Sequence, residues 1–452
     1  MNKTKKLIMM AGLLLATSCS GIQPVSTGMS NTETPQPTIT TNPVPTETES
    51  ETASLPPQNP TPSYIYETQT AIPSATSTPD HASGIRTQCI IPQTSLPDDL
   101  SGPLNLVIGD NFYNIKTEVL QPILPLLTTE QFISGHEISP DRKNILLEYC
   151  EDTSSGRECT NAIIDLNGIV TTSSRPKNAS FEIWLNNEKL IILHYTSAPS
   201  NTIQILNPFT KESVDFSLDI PKPYYAMTID NVYILPVEID PTLTRVIFSD
   251  NEGIGRIIMW DITSGQQLAW LPFEVPQSPG DPPEYFYSFG WSPDASQYIT
   301  TSPVTFVDPD KKIPAAEELF SISRDGTIHQ LTHVSQAYKY VNYMGFAWSP
   351  DGRYVAFWLH TDDVYLPKVD WKSPRLAILD TETNEIVDYC LTSRYISQIP
   401  IWSPDGRYLA VRISTEGLQV QLLLIDPIKG YSYSIADNIQ ENNGIEGWMT
   451  EP

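Results

Sequence analysis

The side chains that could act in catalysis or bind a metal show no catalytic arrangement along the sequence. The chain has no G-x-S-x-G nucleophile elbow, no phosphate-binding P-loop and no H-E-x-x-H zinc motif. His329 and His333 are four residues apart, but they belong to a stretch, IHQLTH, that is typical of a β-strand. In a strand that spacing separates two side chains by about 13 Å, which is too far for one metal ion. We therefore predict no catalytic residue, no metal ligand and no cofactor.

One long loop has the composition of a binding site. Residues 360–372 read HTDDVYLPKVDWK and place two aromatic rings among several carboxylates. Such a mixture suits contacts to a protein or a glycan. A calcium site and a plain solvated loop are the alternatives, although the loop lacks the EF-hand spacing. The candidate binding residues are Asp362, Asp363, Tyr365, Asp370 and Trp371.

The cysteines other than Cys19 form two candidate disulfide pairs. Cys150 ends one predicted strand and Cys159 begins the next, so the two could lie opposite each other across a hairpin. Cys89 and Cys390 are the remaining pair, and a bond between them would tie the end of the N-terminal segment to the folded body. We predict no zinc site, because the sequence has no C-x-x-C spacing. Disulfides would indicate an oxidising compartment.

The N-terminus has the features of a secretion signal. Residues 1–19 begin with lysines, continue with an apolar run over residues 7–16 and end in small residues before Cys19. The apolar run is too short to span about 30 Å of hydrocarbon, so it is typical of a signal peptide rather than a membrane helix. Cys19 resembles the cysteine of a bacterial lipobox, although Ala16 stands where leucine is usual. We predict a diacylglycerol anchor on Cys19 and a mature protein on a bacterial membrane, outside the cytoplasm. An ordinary signal peptide is the alternative.

Residues 20–88 have the composition of a disordered linker. They are rich in proline, threonine, serine, asparagine and glutamine, and no lysine or arginine occurs between residues 20 and 85. Such a segment cannot bury enough apolar surface to offset the entropy lost on folding. We therefore place the folded body in residues 89–452, beyond a stalk that extends away from the membrane.

The folded body contains a repeated strand–turn–strand pattern. Three copies are nearly the same: residues 290–301 read GWSPDASQYITT, residues 347–358 read AWSPDGRYVAFW and residues 401–412 read IWSPDGRYLAVR. Proline, aspartate and glycine reverse the chain between two strands, and the turn aspartates are predicted to be structural. Weaker copies extend the series to anchors 46 to 57 residues apart, a spacing typical of four-stranded propeller blades. The seven anchors are Ile138, Trp184, Ile239, Trp291, Trp348, Trp402 and Trp448.

The two ends of this series predict how the body closes. Residues 104–109, 112–118 and 123–128 look like the last three strands of a blade that lacks its first, and the strand around Trp448 is a first strand without the others. Combining them completes a ring and leaves no open edge. We therefore predict an all-β fold, a seven-bladed β-propeller of four-stranded antiparallel blades that is closed by strands from both chain ends. Six blades are the alternative.

The repeat carries a family resemblance. The pattern W-S-P-D-G-R-Y-x-A, present at residues 348–356 and 402–410, resembles the repeat of TolB-type, WD-repeat-like propellers. These domains occur in the periplasmic Tol protein and in the non-catalytic part of prolyl oligopeptidases. The resemblance covers about residues 104–449 and implies a propeller fold. It implies no single function, because such propellers serve in binding, in scaffolding and in several enzymes.

The charge balance narrows the class of partner. The formal net charge is −26, and removal of the three lysines of the signal peptide makes it about −29. A surface this acidic repels phosphate backbones and anionic headgroups, so we expect no nucleic-acid partner and membrane attachment through the lipid alone. The leading hypothesis is a monomeric, non-catalytic propeller that binds a protein or an envelope polymer. The alternative is a propeller enzyme, a hydrolase or lyase acting on a glycan or peptide with carboxylates at the channel mouth.

Overall fold

The computed structural model describes the folded body in separate stretches. These are residues 84–97, 100, 105–124, 131–154, 156–174, 179–194, 202–217, 238–250, 255–273, 290–308, 313–362, 374–393, 399–414, 420–439 and 444–450. The chain divides into two units, Met1–Thr70 and Ala71–Pro452, and every described residue belongs to the second. Cys19 and the linker before residue 84 lie outside the described residues. No helix in the described stretches has the length and apolarity needed to span a bilayer.

Hydrogen bonds arrange the described strands in six sheets, four of which contain four antiparallel strands each. One of these combines both ends of the body: β3 (Asn105–Ile108), β4 (Asn111–Asn114), β5 (Val119–Pro122) and β30 (Ile445–Met449). We call it the closing sheet. The other three follow in chain order: β6 (Gln131–Ile138), β7 (Ile145–Thr153), β8 (Gly156–Asp165) and β9 (Gly168–Ser174); β10 (Ala179–Asn186), β11 (Lys189–His194), β12 (Thr202–Leu206) and β13 (Ser213–Ser217); β14 (Glu238–Ile239), β15 (Arg245–Asp250), β16 (Gly255–Asp261) and β17 (Gln266–Phe273).

The two remaining sheets are larger. The nine-stranded sheet contains β18 (Gly290–Trp291), β19 (Gln297–Asp308), β20 (Ile313–Ser323), β21 (Ile328–Gln330), β22 (Tyr340–Trp348), β23 (Tyr354–Asp362), β24 (Arg375–Asp380) and β25 (Glu385–Thr392), with β1 (Ile85–Thr87) beside β25. The five-stranded sheet contains β26 (Ile401–Trp402), β27 (Leu409–Ser414), β28 (Val420–Asp426) and β29 (Tyr431–Ile439), with β2 (Ile91–Gln93) beside β29. A short 3-10 helix, Val334–Gln336, lies between β21 and β22.

The repeated turn folds through one set of hydrogen bonds. In the turn after Trp291, the Ser292 hydroxyl donates to Asp294 at 2.6 Å and accepts the backbone N–H of Gln297 at 3.2 Å. The same serine-to-aspartate bond forms in the other three Ser-Pro-Asp turns, so the predicted structural role of these aspartates is confirmed. These aspartates are Asp141, Asp294, Asp351 and Asp405.

Buried apolar clusters join each sheet to the next around a ring. The clusters contain, in ring order, Val107 and Leu147, Leu146 and Trp184, Ile205 and Val246, Met259 and Phe320, Trp358 and Trp402, and Leu422 and Trp448. The last pair brings the five-stranded sheet back to the closing sheet. The described residues therefore form an all-β propeller of four-stranded antiparallel blades, whose core lies between the blades.

The anchor tryptophans link the first strands of neighbouring blades. Each of four indole N–H groups donates to the backbone carbonyl of the residue just before the preceding anchor in the series. The bonds are Trp184 to Glu137 at 3.2 Å, Trp348 to Gly290 at 3.1 Å, Trp402 to Ala347 at 3.0 Å and Trp448 to Ile401 at 3.2 Å. Because these bonds join first strands to first strands, the first strand of each blade is the inner one and the fourth is the outer one.

The closing sheet is built from both ends of the body. β30 pairs antiparallel with β3, and Trp448 lies opposite Leu106 in this ladder. Gly447 faces the next blade, where a Cβ atom on residue 447 would lie only 2.5 Å from Cδ1 of Ile138. Beyond β30, the backbone N–H of Thr450 donates to the carbonyl of Arg142 at 2.8 Å. The C-terminal strand therefore contacts the blades on both of its sides.

Strand pairing begins earlier in the chain than the sequence indicates. β1 pairs in parallel with β25 and β2 in parallel with β29, so both lie on outer edges of blades. β1 falls within residues 20–88, the range assigned to the linker, and its three residues, Ile-Arg-Thr, carry no apolar alternation. An outer strand offers a row of unpaired N–H and C=O groups, which a neighbouring segment can pair with whatever its side chains are. We call residues 84–97 the strap.

Candidate functional site

The candidate loop connects the second and third strands of the blade formed by β22–β25. β23 ends at Asp362 and β24 begins at Arg375, and the residues 363–373 between them lie outside the described part of the chain. Asp362 lies opposite Tyr340 in the β22–β23 ladder and is half-buried. Of the five candidate binding residues, the structure thus places Asp362 at the stem of the loop. The other four, Asp363, Tyr365, Asp370 and Trp371, are not among the described residues.

An ion pair with a buried carboxylate fixes the stem of this loop. Nε of Arg375 lies 3.1 Å from Oδ2 of Asp388 on β25, and Nη2 of the same guanidinium donates to the Thr361 hydroxyl at 3.0 Å. The Asp388 side chain is 6% exposed, and its Oδ1 accepts the backbone N–H of Cys390 at 2.8 Å. A buried carboxylate needs such partners to offset its lost hydration. Arg375 therefore holds the two strand ends from which the loop leaves in one geometry.

Two buried aromatic rings pack against each other beside the stem. The rings of Tyr340 and His360 are 5.3 Å apart, with an angle of 73° between their planes, which is an edge-to-face contact. Each residue is 9% exposed. Tyr340 belongs to the inner strand β22 and His360 to its neighbour β23. The loop therefore emerges next to side chains that have little freedom to move.

A buried acidic cluster lies where this blade meets the preceding one. Glu318 of β20 is fully buried, and its carboxylate accepts hydrogen bonds from the Thr332 hydroxyl at 2.5 Å, the Ser335 N–H at 2.6 Å and the Tyr343 hydroxyl at 3.0 Å. Burial, together with the Glu318 carboxylate beside it, raises the pKa of Tyr343 well above its ordinary value. Both oxygens of Glu318 thus bind protein donors, and the cluster fastens β22 to the preceding blade.

Two further carboxyl groups lie on inner strands at the residue before the anchor. Glu137 accepts the backbone N–H of Trp184 at 3.2 Å, and burial raises its pKa to about 7. Burial also raises the pKa of Glu238 to about 8, although the hydroxyl of Tyr298 in the next blade donates to it. These two groups carry a proton at pH values where exposed glutamates are ionised. Aligning the repeats would have revealed both residues, because each is acidic at a position that faces a neighbouring blade, where acidic residues are rare.

The structure brings together the members of both cysteine pairs. Cys150 and Cys159 are disulfide-bonded partners directly opposite in the β7–β8 ladder, with Cα atoms 4.1 Å apart. Cys89 of the strap and Cys390 of β25 are also bonded, with Cα atoms 4.8 Å apart and a separation of 301 positions in sequence. In the described part of the chain, Glu148 lies close enough to Cys150 and Cys159 to complete a metal-like group. Sulfur atoms in a disulfide are not thiolates and are poor metal ligands.

Comparisons with known proteins show similarity of fold. No protein-family model matches the chain, and no curated protein sequence matches it. TolB from Acinetobacter baumannii is 13% identical over 75% of this chain and 78% of its own, with a TM-score of 0.37. An oligogalacturonate lyase in complex with manganese is 13% identical over 77% of this chain and 89% of its own, with a TM-score of 0.47. The oligogalacturonate lyase of Vibrio parahaemolyticus is 11% identical over 75% and 87%, with a TM-score of 0.43. At these identities the likeness carries no argument about activity.

The described arrangement can support a loop through paired polar groups. Its carboxylates, Asp388 and Glu318, are engaged by arginine, hydroxyl and backbone donors. Sequence reasoning identified the loop and its acidic and aromatic composition. It missed the pairing of Arg375 with Asp388, because the two residues lie on different strands and no local motif connects them. This edge of the blade therefore fixes both ends of the candidate loop.

Proposed function

We propose that this chain is a lipid-anchored, extracytoplasmic propeller that acts as a non-catalytic scaffold and binds a protein or envelope polymer through the loop at residues 363–373. The observation that carries the proposal is the stem of that loop, where Arg375 pairs with the buried Asp388 carboxylate at 3.1 Å beside the disulfide at Cys390. A loop held at both ends loses less entropy on binding than a free one. Its acidic and aromatic residues suit a protein or glycan surface.

The proposed location outside the cytoplasm rests on the two disulfides and on the lipoprotein signal around Cys19. Both pairs of cysteines in the folded body are disulfide-bonded, and such bonds persist mainly outside the cytoplasm. Cys19 follows a short apolar segment that suits a lipoprotein signal. The formal charge of −26 disfavours phosphate backbones and anionic headgroups, so the proposed partner is neither a nucleic acid nor the membrane surface. We propose that the protein is a monomer in this role.

We further infer that the ring has seven blades rather than six. Apart from the edge strand β1, the nine-stranded sheet consists of two runs of four strands, β18–β21 and β22–β25, and these runs are joined by the one residue pair Ala316 and Val341. Each run begins at its own anchor tryptophan, and the indole of Trp348 donates to Gly290 in the way that separate blades are linked elsewhere. Counting these runs separately, and adding the closing sheet and the other sheets, gives one blade for each of the seven anchors.

Binding to isolated cell envelopes tests the proposed function. The full chain is compared with Tyr365→Ala and Trp371→Ala, and Ile428→Ala serves as the matched control because Ile428 is 81% exposed in the turn between β28 and β29. We expect the loop variants to lose most of the specifically captured partner and the control to retain it. Equal capture by all variants would reject the loop as the binding site. Turnover of a glycan or peptide without any captured partner would favour the enzyme hypothesis.

Release of Cys19→Ala protein from membranes tests the anchor.

A further inference from the structure

The strap crosses the outer edges of two blades before the chain enters the ring. β1 pairs residue by residue with β25, from Ile85 opposite Ile386 to Thr87 opposite Asp388. β2 then pairs with β29 of the next blade, from Ile91 opposite Tyr431 to Gln93 opposite Tyr433. Cys89 lies between these two strands and is bonded to Cys390. The strap is therefore attached covalently at its middle and by short hydrogen-bonded ladders on either side.

Side chains of the strap match the edges that they cover. Arg86 forms an ion pair with Glu385 at 2.7 Å, and the backbone N–H of Gln88 donates to the backbone carbonyl of Asp388 at 2.8 Å. Gly430 begins the part of the five-stranded sheet that receives β2, and a Cβ atom on residue 430 would lie 2.9 Å from Nε2 of Gln88. The backbone N–H of Ile91 donates to the carbonyl of the same glycine at 2.8 Å. The strap thus occupies a defined place on both blades.

The strap leads directly to the strand that closes the ring. After β2, Leu96 and Leu100 pack against the cluster shared by the five-stranded sheet and the closing sheet, and β3 follows at Asn105. β3 is the strand that pairs with C-terminal β30. A pull on the chain before residue 84 would therefore reach β2 and then β3, and would peel the closing sheet apart, unless something upstream stopped it.

We propose that the Cys89–Cys390 bond is the mechanical junction between tether and propeller, which passes tension from the N-terminal segment into the outer strand β25 and keeps it away from the β3–β30 pairing. The proposal rests on the proposed membrane tether, because an untethered chain carries no such tension. Its structural basis is the order of attachment points along the chain. The covalent bond at Cys89 comes before β2, Leu96, Leu100 and β3, so these elements are unloaded while the bond is intact.

Single-molecule pulling on the purified full chain tests this junction. One handle is attached at the N-terminus, and the other is attached through an azide-bearing amino acid in place of Ser264, an exposed residue of the turn between β16 and β17. In the Cys89→Ser/Cys390→Ser variant we expect an added low-force extension of about 50 Å, which is the contour length of the 16 residues from Cys89 to Asn105. We expect unfolding of the closing sheet to follow directly. The wild-type chain should lack this step.

Matched controls separate the junction from general weakening. Cys150→Ser/Cys159→Ser removes the other disulfide and should leave the low-force trace as in the wild type. If the strap variant does not fold, the same wild-type molecule is pulled before and after addition of a thiol reductant, and the step should appear only after reduction. A strap variant without the step, or the same step in the control variant, would overturn the proposal. The pulling handles replace the lipid, so a failure of this test would say nothing about the proposed anchor. The Cys19→Ala variant tests the anchor separately.

Discussion

Replacing Gly447 with alanine should weaken the protein through one identifiable contact and through the backbone, whose φ of 158° residues with a side chain rarely adopt. The added Cβ atom would lie 2.5 Å from Cδ1 of Ile138, whereas the next atom of that side chain, Cγ1, is 3.6 Å away. Overpacking of this kind costs about 2 kcal/mol of unfolding free energy when the neighbours cannot move freely. Ile138→Val removes only the offending Cδ1 and should cost about 1 kcal/mol by itself. In the double variant the clash is absent, so Gly447→Ala should add only its backbone cost, about 1 kcal/mol, to the cost of Ile138→Val.

Denaturant unfolding of the full chain and its three variants measures this double-mutant cycle. We expect the double variant to lose about 2 kcal/mol, not the sum of about 4 kcal/mol, which is a coupling of about 2 kcal/mol. The coupling arises only if β30 from the C-terminus packs on the first strand of the β6–β9 blade. Additive losses would show that residues 138 and 447 do not touch and would refute this description of ring closure.

Three further predictions concern the blade interfaces and the disulfides. Trp348→Phe should lower the free energy of unfolding by about 2 kcal/mol, because the smaller ring leaves space and the Gly290 carbonyl loses its indole donor. Thermal unfolding measures this loss, and an unchanged midpoint would contradict it. Burial raises the pKa of Glu238 to about 8, so its protonated form stabilises the fold below pH 4.5 and this contribution is lost as the pH rises through 8. Glu238→Gln should therefore reduce the fall in melting temperature between pH 6 and 9, and parallel pH profiles of the two proteins would be the contrary result. Breaking the Cys89–Cys390 bond, which closes a loop of 301 residues, should lower the free energy of unfolding by about 6 kcal/mol. Breaking the Cys150–Cys159 bond, which closes a loop of 9 residues, should lower it by about 3 kcal/mol. Calorimetry of the two serine double variants should show that order.

Much of the ring could be predicted because its signals are local and repeated. Trp348 and Trp402 each stand before the same turn residues, and the strands that flank them are rich in β-branched and aromatic residues. The pairing of the terminal strands followed from the need to leave no strand edge open. The cross-strand position of Cys150 and Cys159 followed from the hairpin between them. These inferences need only neighbours in sequence or a rule about edges.

The strap and the loop stem could not be predicted in the same way. β1 is held by backbone pairing on an edge whose identity depends on the assembled blade, and its residues show no strand pattern. Arg375 and Asp388 carry ordinary charged side chains in sequence, and they become an ion pair only when β24 and β25 align. The raised pKa of Glu137 likewise depends on burial by a neighbouring blade. No local motif marks these particular contacts in the sequence.

Photocrosslinking in the native cell tests the central claim most directly. A photoreactive amino acid is placed at position 365 in the candidate loop and, in a separate variant, at position 428, where Ile428 is highly exposed on another blade. A binding scaffold that uses the loop should give one discrete crosslinked adduct from position 365 and none from position 428. A discrete adduct from position 428 alone, or no adduct from position 365 in cells that retain the folded protein at the membrane, would contradict it.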